Sequence, residues 1–328
     1  SSYEALPESA RIESVDDIDA MTAELCGLAA GTTYAWADEK LIGEFDYVFI
    51  DEGGQVSLAD ALIASTAGKN VVLLGDPLQL PQVTKGSHPA GADLSILEHL
   101  LGNDETVPPS RGIFLDTTYR MHPALCRFIS DSIYEGRLHS DESTVRNAVH
   151  ANGFAAHGPV YVPIDHDGNG RRSDEEAQWI ADGVSRLLQG RVTIGEQATR
   201  PITQSDILVV APYNLQRIRI REELARAGYR GVRVGTVDKF QGQEAAVVIY
   251  SMATSSAQTL PRDAAFLFDR NRFNVAISRA QCTSIIVCSP RLLDTPCKSP
   301  AQMAMVNLLC AYREAALQAA ELTAAPAA

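Results

Sequence analysis

Short apolar runs recur along the chain, separated by amphipathic stretches of helical period, and this alternation predicts parallel sheets flanked by helices. In the first third the pattern predicts a helix over 14–25, strands over 27–33 and 46–50, a helix over 57–67, a strand over 71–75 and a helix over 94–101. Residues 102–112 carry Asp104, Glu105 and Pro108-Pro109 and read as a linker. The alternation then restarts: strands over 113–116 and 160–163, helices over 123–133 and 174–188, a strand over 207–211 and a helix over 213–226. Strands over 232–235 and 247–251, a helix over 272–278 and a strand over 285–288 follow. Residues 302–322 are alanine-rich and helical, a docking helix or a tail. The expected fold class is α/β with two parallel-sheet lobes, over 1–108 and 109–300, and a C-terminal helix and tail over 301–328.

Length and composition suit that division. At roughly 150 residues per domain, 328 residues make two domains, and 45% hydrophobic residues fill two cores. No apolar run approaches the roughly 20 residues of a bilayer-spanning helix, and Ser1, Tyr3, Glu4 and Glu8 lack the basic-then-apolar order of a secretory signal. A soluble, cytoplasmic protein without a membrane partner is expected, excised from a longer polypeptide because it opens on Ser1 and an acidic stretch. The six cysteines form no C-x-x-C pair and read as reduced, buried thiols. The net charge of -13 opposes indiscriminate polyanion binding, so any nucleic-acid surface must be local. Arg217, Arg219, Arg221, Arg226, Arg230, Arg233 and Lys239 stand against Glu222, Glu223 and Asp238, either as such a basic face or as solvated helix charge.

The candidate chemistry sits where strands end. Tyr47-Val48-Phe49-Ile50 runs into Asp51-Glu52-Gly53-Gly54-Gln55, and Val71-Val72-Leu73-Leu74 runs into Gly75-Asp76-Pro77-Leu78-Gln79-Leu80. Ligands of open parallel sheets lie beyond the carboxyl ends of strands, so these acids suit a bound nucleotide: Asp51 for magnesium, Glu52 as general base, Gln79 for a terminal phosphate or the attacking water. Arg120, in Thr117-Thr118-Tyr119-Arg120-Met121-His122-Pro123, is a candidate arginine finger, whereas Tyr119 and His122 suit packing at a helix start or catalysis. The stretch from Val234 through Thr236, Asp238 and Gly242 to Glu244 is too polar to bury cheaply without a ligand. Arg279 closes Phe273-Asn274-Val275-Ala276-Ile277-Ser278-Arg279, and two arginines opposite two carboxylates can clamp a polyphosphate. The glycine-rich phosphate loop G-x-x-x-x-G-K-[ST] does not occur in this sequence; around Gly68-Lys69, Ile63 replaces the first glycine and Asn70 the hydroxyl.

In order and spacing, these blocks resemble motifs II through VI of superfamily 1 helicases, in the branch containing the nonsense-mediated-decay and Okazaki-fragment-processing helicases. The resemblance covers roughly residues 31–290, with Gly53 standing where the family has alanine. It implies two RecA-like lobes, the first incomplete, that hydrolyse ATP in the cleft between them while moving along single-stranded DNA or RNA. It further implies Asp51 on Mg2+, Glu52 on water, Gln79 and Arg120 on the γ-phosphate, Gly242 and Glu244 on the nucleotide and Arg279 as second finger. Thr32, Thr236 and Asp238 would touch the strand, and Tyr213 would stack on it or pack. Gly86-Ser87-His88-Pro89 and Phe128-Ile129-Ser130-Asp131 are most similar to bacterial proteins that fuse an upstream RecB-like nuclease to such a helicase. Motif I is then expected upstream, leaving this segment alone a poor ATPase. The competing expectations are a non-catalytic RecA-like clamp or scaffold for a nuclease, and a small-molecule phosphotransferase.

Overall fold

The computed structural model describes residues 15–22, 26–81, 94–102, 104, 106–260 and 264–324. The chain forms two compact units, one of residues 1–77 and 81–103, the other of 78–80 and 104–328. The first is built on strands β1 (Phe45–Ile50) and β2 (Gly68–Leu73), which pair in parallel with Phe45 opposite Gly68 and Ile50 opposite Leu73. Helix α1 (Leu58–Ser65) makes the crossover, started by Ser57, whose hydroxyl accepts the Asp60 N–H at 2.9 Å. Helix α2 (Ile96–Leu101) opens with a reciprocal capping box between Ser95 and Glu98. Strand alternation turns Val48 and Ile50 onto Leu41, Ala61, Ala64 and Ile96, while Tyr47 and Phe49 remain 58% and 61% exposed on the opposite face.

Two expectations fail in this unit. Of the helix over 14–25, the described residues form a single 3-10 turn at Ile18–Met21, and residues 14 and 23–25 lie outside the described set. The strand over 27–33 does not form; the Thr32 carbonyl instead accepts the Ala35 N–H at 3.0 Å, and Gly27 and Gly31 give an extended conformation little to hold it.

The second unit begins with β3 (Thr117–Thr118), helix α3 (Pro123–Ile133) and β4 (His139–Ser140), which pairs in parallel with β3. The expected strand over 113–116 is absent; pairing is confined to Thr117 and Thr118, preceded by one hydrogen bond from the His139 N–H to the Asp116 carbonyl at 2.7 Å. Strands β5 (Ala148–His150), β6 (Gly158–Pro163), β7 (Arg191–Thr193), β8 (Arg200–Pro201) and β9 (Ile207–Val210) follow, with helix α4 (Asp174–Leu187) between β6 and β7. Helix α5 (Asn214–Arg226) leads to β10 (Arg233–Gly235) and β11 (Ala245–Ser251). Helices α6 (Ala264–Leu267) and α7 (Arg270–Ile277), strand β12 (Ala280–Cys288) and helix α8 (Pro300–Ala324) complete the unit.

Its main sheet, ordered β10-β9-β11-β12-β6, is parallel at every pairing, as the alternation of strand and helix predicts. Both faces are covered. Leu208, Val210, Val248, Tyr250 and Ile286 enter one core with α3, α7 and α8, and Ile207, Val209, Val247, Ile249 and Ile285 enter the other with α4 and α5. That is why these strands read as unbroken apolar runs. A separate antiparallel sheet, β5-β7-β8, has no counterpart in the sequence reading. Helix α8, set apart by the sequence reading, belongs to this unit. Tyr312 lies edge-on to Phe128 and Phe273 and donates its hydroxyl to the Ser284 carbonyl at 2.6 Å.

Candidate active site

In the first unit the two acids stand at the carboxyl end of β1, both exposed. Asp51 Oδ1 accepts the Glu52 N–H at 2.8 Å, which turns one carboxylate oxygen back onto the chain. Glu52 takes a positive φ of 53°, a conformation that costs a non-glycine residue on the order of 1 kcal/mol, and its Oε2 accepts from Gln55 Nε2 at 3.0 Å. The turn is packed against the end of β2. The Gly53 N–H donates to the Leu74 carbonyl at 2.8 Å, and a Cβ on Gly54 would meet the Asp76 carbonyl oxygen at 2.8 Å. Only glycine allows that approach. Gly68-Lys69, which mimics part of a phosphate loop, opens β2 instead.

Gln79 lies in the second unit, carried by the tripeptide Leu78–Leu80. Leu80 is buried in the main core, and Asn274 on α7 donates its amide to the Leu78 carbonyl at 2.9 Å and to Tyr134 Oη at 2.7 Å. Arg279, 3% exposed, donates Nη2 to Gln79 Oε1 at 2.9 Å and Nε to the Val275 carbonyl at 3.2 Å. Two residues 200 positions apart are thus joined, the guanidinium bound to the amide that the sequence assigns to a phosphate.

Arg120 follows β3, and its Nε donates to Glu244 Oε2 at 2.8 Å, with Nη1 3.4 Å from the Ser278 carbonyl. Glu244 Oε1 accepts from Gln281 Nε2 at 2.9 Å. The backbone at Arg120 is fixed by Asn147, whose amide reaches the Arg120 carbonyl at 3.0 Å. Gly242, with φ 71°, makes the turn that delivers Glu244. Arg120, Glu244 and Arg279, expected at one nucleotide, therefore share one neighbourhood, in which Arg120 rests on Glu244. His122 begins α3, its Nδ1 accepting the Ala124 N–H at 3.1 Å and its ring stacked on His157 at 3.8 Å. Burial, and then the neighbouring His157, push it down to about 4, so it is a neutral packing group at pH 7.

The residues expected to touch a strand divide. Thr236 and Asp238 follow β10, half-buried and exposed respectively, and Tyr213 follows β9, the adjacent strand. Tyr213 is 7% exposed and stacks on Phe266 with ring centroids 5.5 Å apart, a packing contact within the protein. Thr32 belongs to the first unit, exposed in the turn that replaces the expected strand. Part of the basic stretch is engaged internally. Arg219 pairs with Asp174 and Glu223, Arg226 pairs with Glu223, and Arg233 donates to the Ser205 and Glu244 carbonyls. Sequence reasoning missed Asn274, Gln281, Phe266 and Arg272. Asn274 lies inside a recognised block and offered a signal; the others become visible only through contacts across the fold.

Among the described residues no helix is long and apolar enough to cross a membrane. Residues 92–291 match the profile of an AAA domain, and residues 30–87 match a second AAA-domain profile. The chain is 30% identical over 282 residues to RNA helicase Mov10l1 of Homo sapiens, covering 78% of this chain and 23% of that protein. It is 32% identical over 279 residues to ATP-dependent helicase upf1 of Schizosaccharomyces pombe, covering 80% and 28%. It is 29% identical over 301 residues to DNA-binding protein SMUBP-2 of Mesocricetus auratus, covering 88% and 29%. The chain thus spans about a quarter of the length of the curated relatives it matches. Among solved structures, arterivirus nonstructural protein 10 (helicase) is similar at a TM-score of 0.38 and 18% identity, over 75% of this chain and 39% of that one. With one AAA-domain profile spanning most of the second unit and a second lying in the first, the chain belongs to the AAA-domain family, in the superfamily 1 group of upf1-like helicases.

Proposed function

We propose that this chain is the motor portion of an ATP-dependent helicase or translocase acting on single-stranded DNA or RNA. The observation that carries the reading is Arg279, buried to 3% exposure yet directed at the amide of Gln79, while Arg120 lies on the carboxylate of Glu244. Burying one guanidinium and pairing the next is costly for a mere scaffold, and it suits groups that must meet a polyphosphate. The relatives' names point the same way.

The carboxylates fit magnesium-bound ATP: Asp51 presents hard oxygen donors at a strand end, the chemistry that a small dication prefers. Such a ligand, when bound, supplies the phosphoryl group transferred to water and a cation that offsets its charge. Asp51 would hold the metal. Glu52, oriented by Gln55, takes the proton of the attacking water, and Gln79 orients that water or the terminal phosphate. Arg120 exchanges Glu244 for phosphate oxygens, and Arg279 holds Gln79 until charge develops in the transition state. Glu244, released, is available to ribose hydroxyls. Thr236 faces the strand, and Asp238, on the same turn, lies beside it. We also propose that sequence upstream supplies the phosphate loop, that a RecB-like nuclease is fused there, and that the protein works in the cytoplasm.

Strand-stimulated ATP hydrolysis by the intact protein tests the reading. Single-stranded DNA or RNA raises the rate, and Arg279→Lys, which keeps the charge but not the fork of donors, lowers it by roughly a thousandfold. Hydrolysis indifferent to any strand, or to Arg279→Lys, overturns it. The present segment alone turns over ATP slowly; a rate equal to that of the intact protein would remove the need for an upstream loop.

A further inference from the structure

Beyond the carboxyl ends of the adjacent strands β9 and β10 lies a layered group of side chains. The Tyr213 ring is packed behind Phe266 at 5.5 Å with 26° between the planes. The guanidinium of Arg272 lies 4.8 Å from the Phe266 centroid. Its Nη2 is 3.5 Å from Asp238 Oδ1, and the two side chains are 24% and 46% exposed. Thr236, which starts the turn containing Asp238, is half-buried beside them, and Lys239 is exposed.

Each part has a physical consequence. A guanidinium stacked on a ring keeps its edge N–H groups for planar, bidentate contact with phosphate, and the stack lowers the entropy lost in making it. A contact of 3.5 Å stands at the long limit of a hydrogen bond, so Asp238 holds Arg272 weakly and can be exchanged for a stronger acceptor. Tyr213, buried, fixes the ring on which the cation rests. The position, past the ends of two parallel strands, is where such sheets receive ligands.

We propose that Arg272, stacked on Phe266, is a phosphate contact for single-stranded nucleic acid, with Asp238 as its resting partner and Tyr213 as the support of the stack. This places a cation where the acidic whole molecule needs a local one, and it rests on the nucleic-acid reading above.

The test is fluorescence anisotropy of a labelled oligodeoxythymidylate with the intact protein, over a series of salt concentrations. Replacing Arg272 by methionine makes the slope of log affinity against log salt shallower by about 0.7, the signature of one lost phosphate contact on a single strand. Arg272→Lys keeps the slope but binds more weakly, because an ammonium cannot stack as a plane. Asp238→Asn tightens binding by freeing the cation. An unchanged slope in Arg272→Met, with an unchanged melting temperature, overturns the proposal; so does a loss of affinity without a change of slope. If Arg272→Met does not fold, Asp238→Asn decides, since binding no tighter than wild type overturns the exchange. Failure of the unmodified protein to bind any oligonucleotide would instead sink the nucleic-acid reading itself.

Discussion

Asn274 has no exposed surface, and its amide bridges the Leu78 carbonyl and the Tyr134 hydroxyl. Leucine at this position removes that donor from one buried and one half-buried oxygen, at a cost of about 1–3 kcal/mol each. Asn274→Leu is therefore expected to lower the stability of the second unit by about 2–4 kcal/mol in urea titrations followed by circular dichroism, and Tyr134→Phe by about 1 kcal/mol. A double-mutant cycle with no coupling energy would refute the bridge. In the first unit, Gly54→Ala drives a methyl group to 2.8 Å from the Asp76 carbonyl oxygen. The expected loss is about 1–3 kcal/mol, and a variant as stable as wild type would show that the two turns are not packed as described. At this scale the sequence was legible where chemistry is local: Asp51 and Glu52 follow an apolar strand within one decapeptide. It was silent on the Arg120–Glu244 pair and on the Phe266–Arg272 stack as such, because no local pattern records a partner 124 residues away or the face of a ring.

Helix α3 shows how an element can carry a pH response. Its N-terminal cap is His122, which in the folded protein has its pKa lowered to about 4 by burial and by the stacked His157, itself lowered by burial. An unfolded chain takes up the proton near pH 6.5, so between about 6.5 and 4 the unfolded state binds more protons than the folded one. Stability contributed by the neutral ring is complete above pH 6.5 and is lost as pH falls toward 4, by at most about 3 kcal/mol. Asparagine caps helices without titrating, so His122→Asn is expected to flatten the dependence of the urea midpoint on pH over this window; an identical slope in the variant would contradict it. Elements were legible in proportion to their length and burial. The buried strands β9, β11 and β12 and the helices α4 and α5 declared themselves through apolar runs and helical period. Strands β5, β7 and β8 have two or three residues each, below what an alternating pattern can signal, and are defined only by the neighbours they meet. The strand expected over 27–33 carries two glycines and has no pairing partner among the described residues, and pairing is what makes a strand.

At the scale of the whole molecule, a net charge of -13 coexists with cations such as Arg120, Arg219 and Arg272 that rest on carboxylates, so affinity for a strand depends on a few positioned guanidinium groups. The two units also differ in how completely they bury their sheets. In the second, five parallel strands are covered on both faces by helices, and the apolar side chains of β9 and β11 have essentially no exposed surface. In the first, the described strands β1 and β2 are covered on one face, and Tyr47, Phe49 and Val71 remain exposed at 58%, 61% and 43%. Apolar burial is the main favourable term in folding, so the second unit should open only with global unfolding and the first by smaller, cheaper fluctuations. Hydrogen exchange read by mass spectrometry is expected to show amides of β9, β11 and β12 protected at least about a hundredfold more than those of β1 and β2. Heating should accordingly give two transitions, with the signal from Trp36 in the first unit changing before that of Trp179 on α4. One shared transition, with equal protection in both sheets, would mean that the exposed face of β1 and β2 does not weaken the first unit in the way its burial implies.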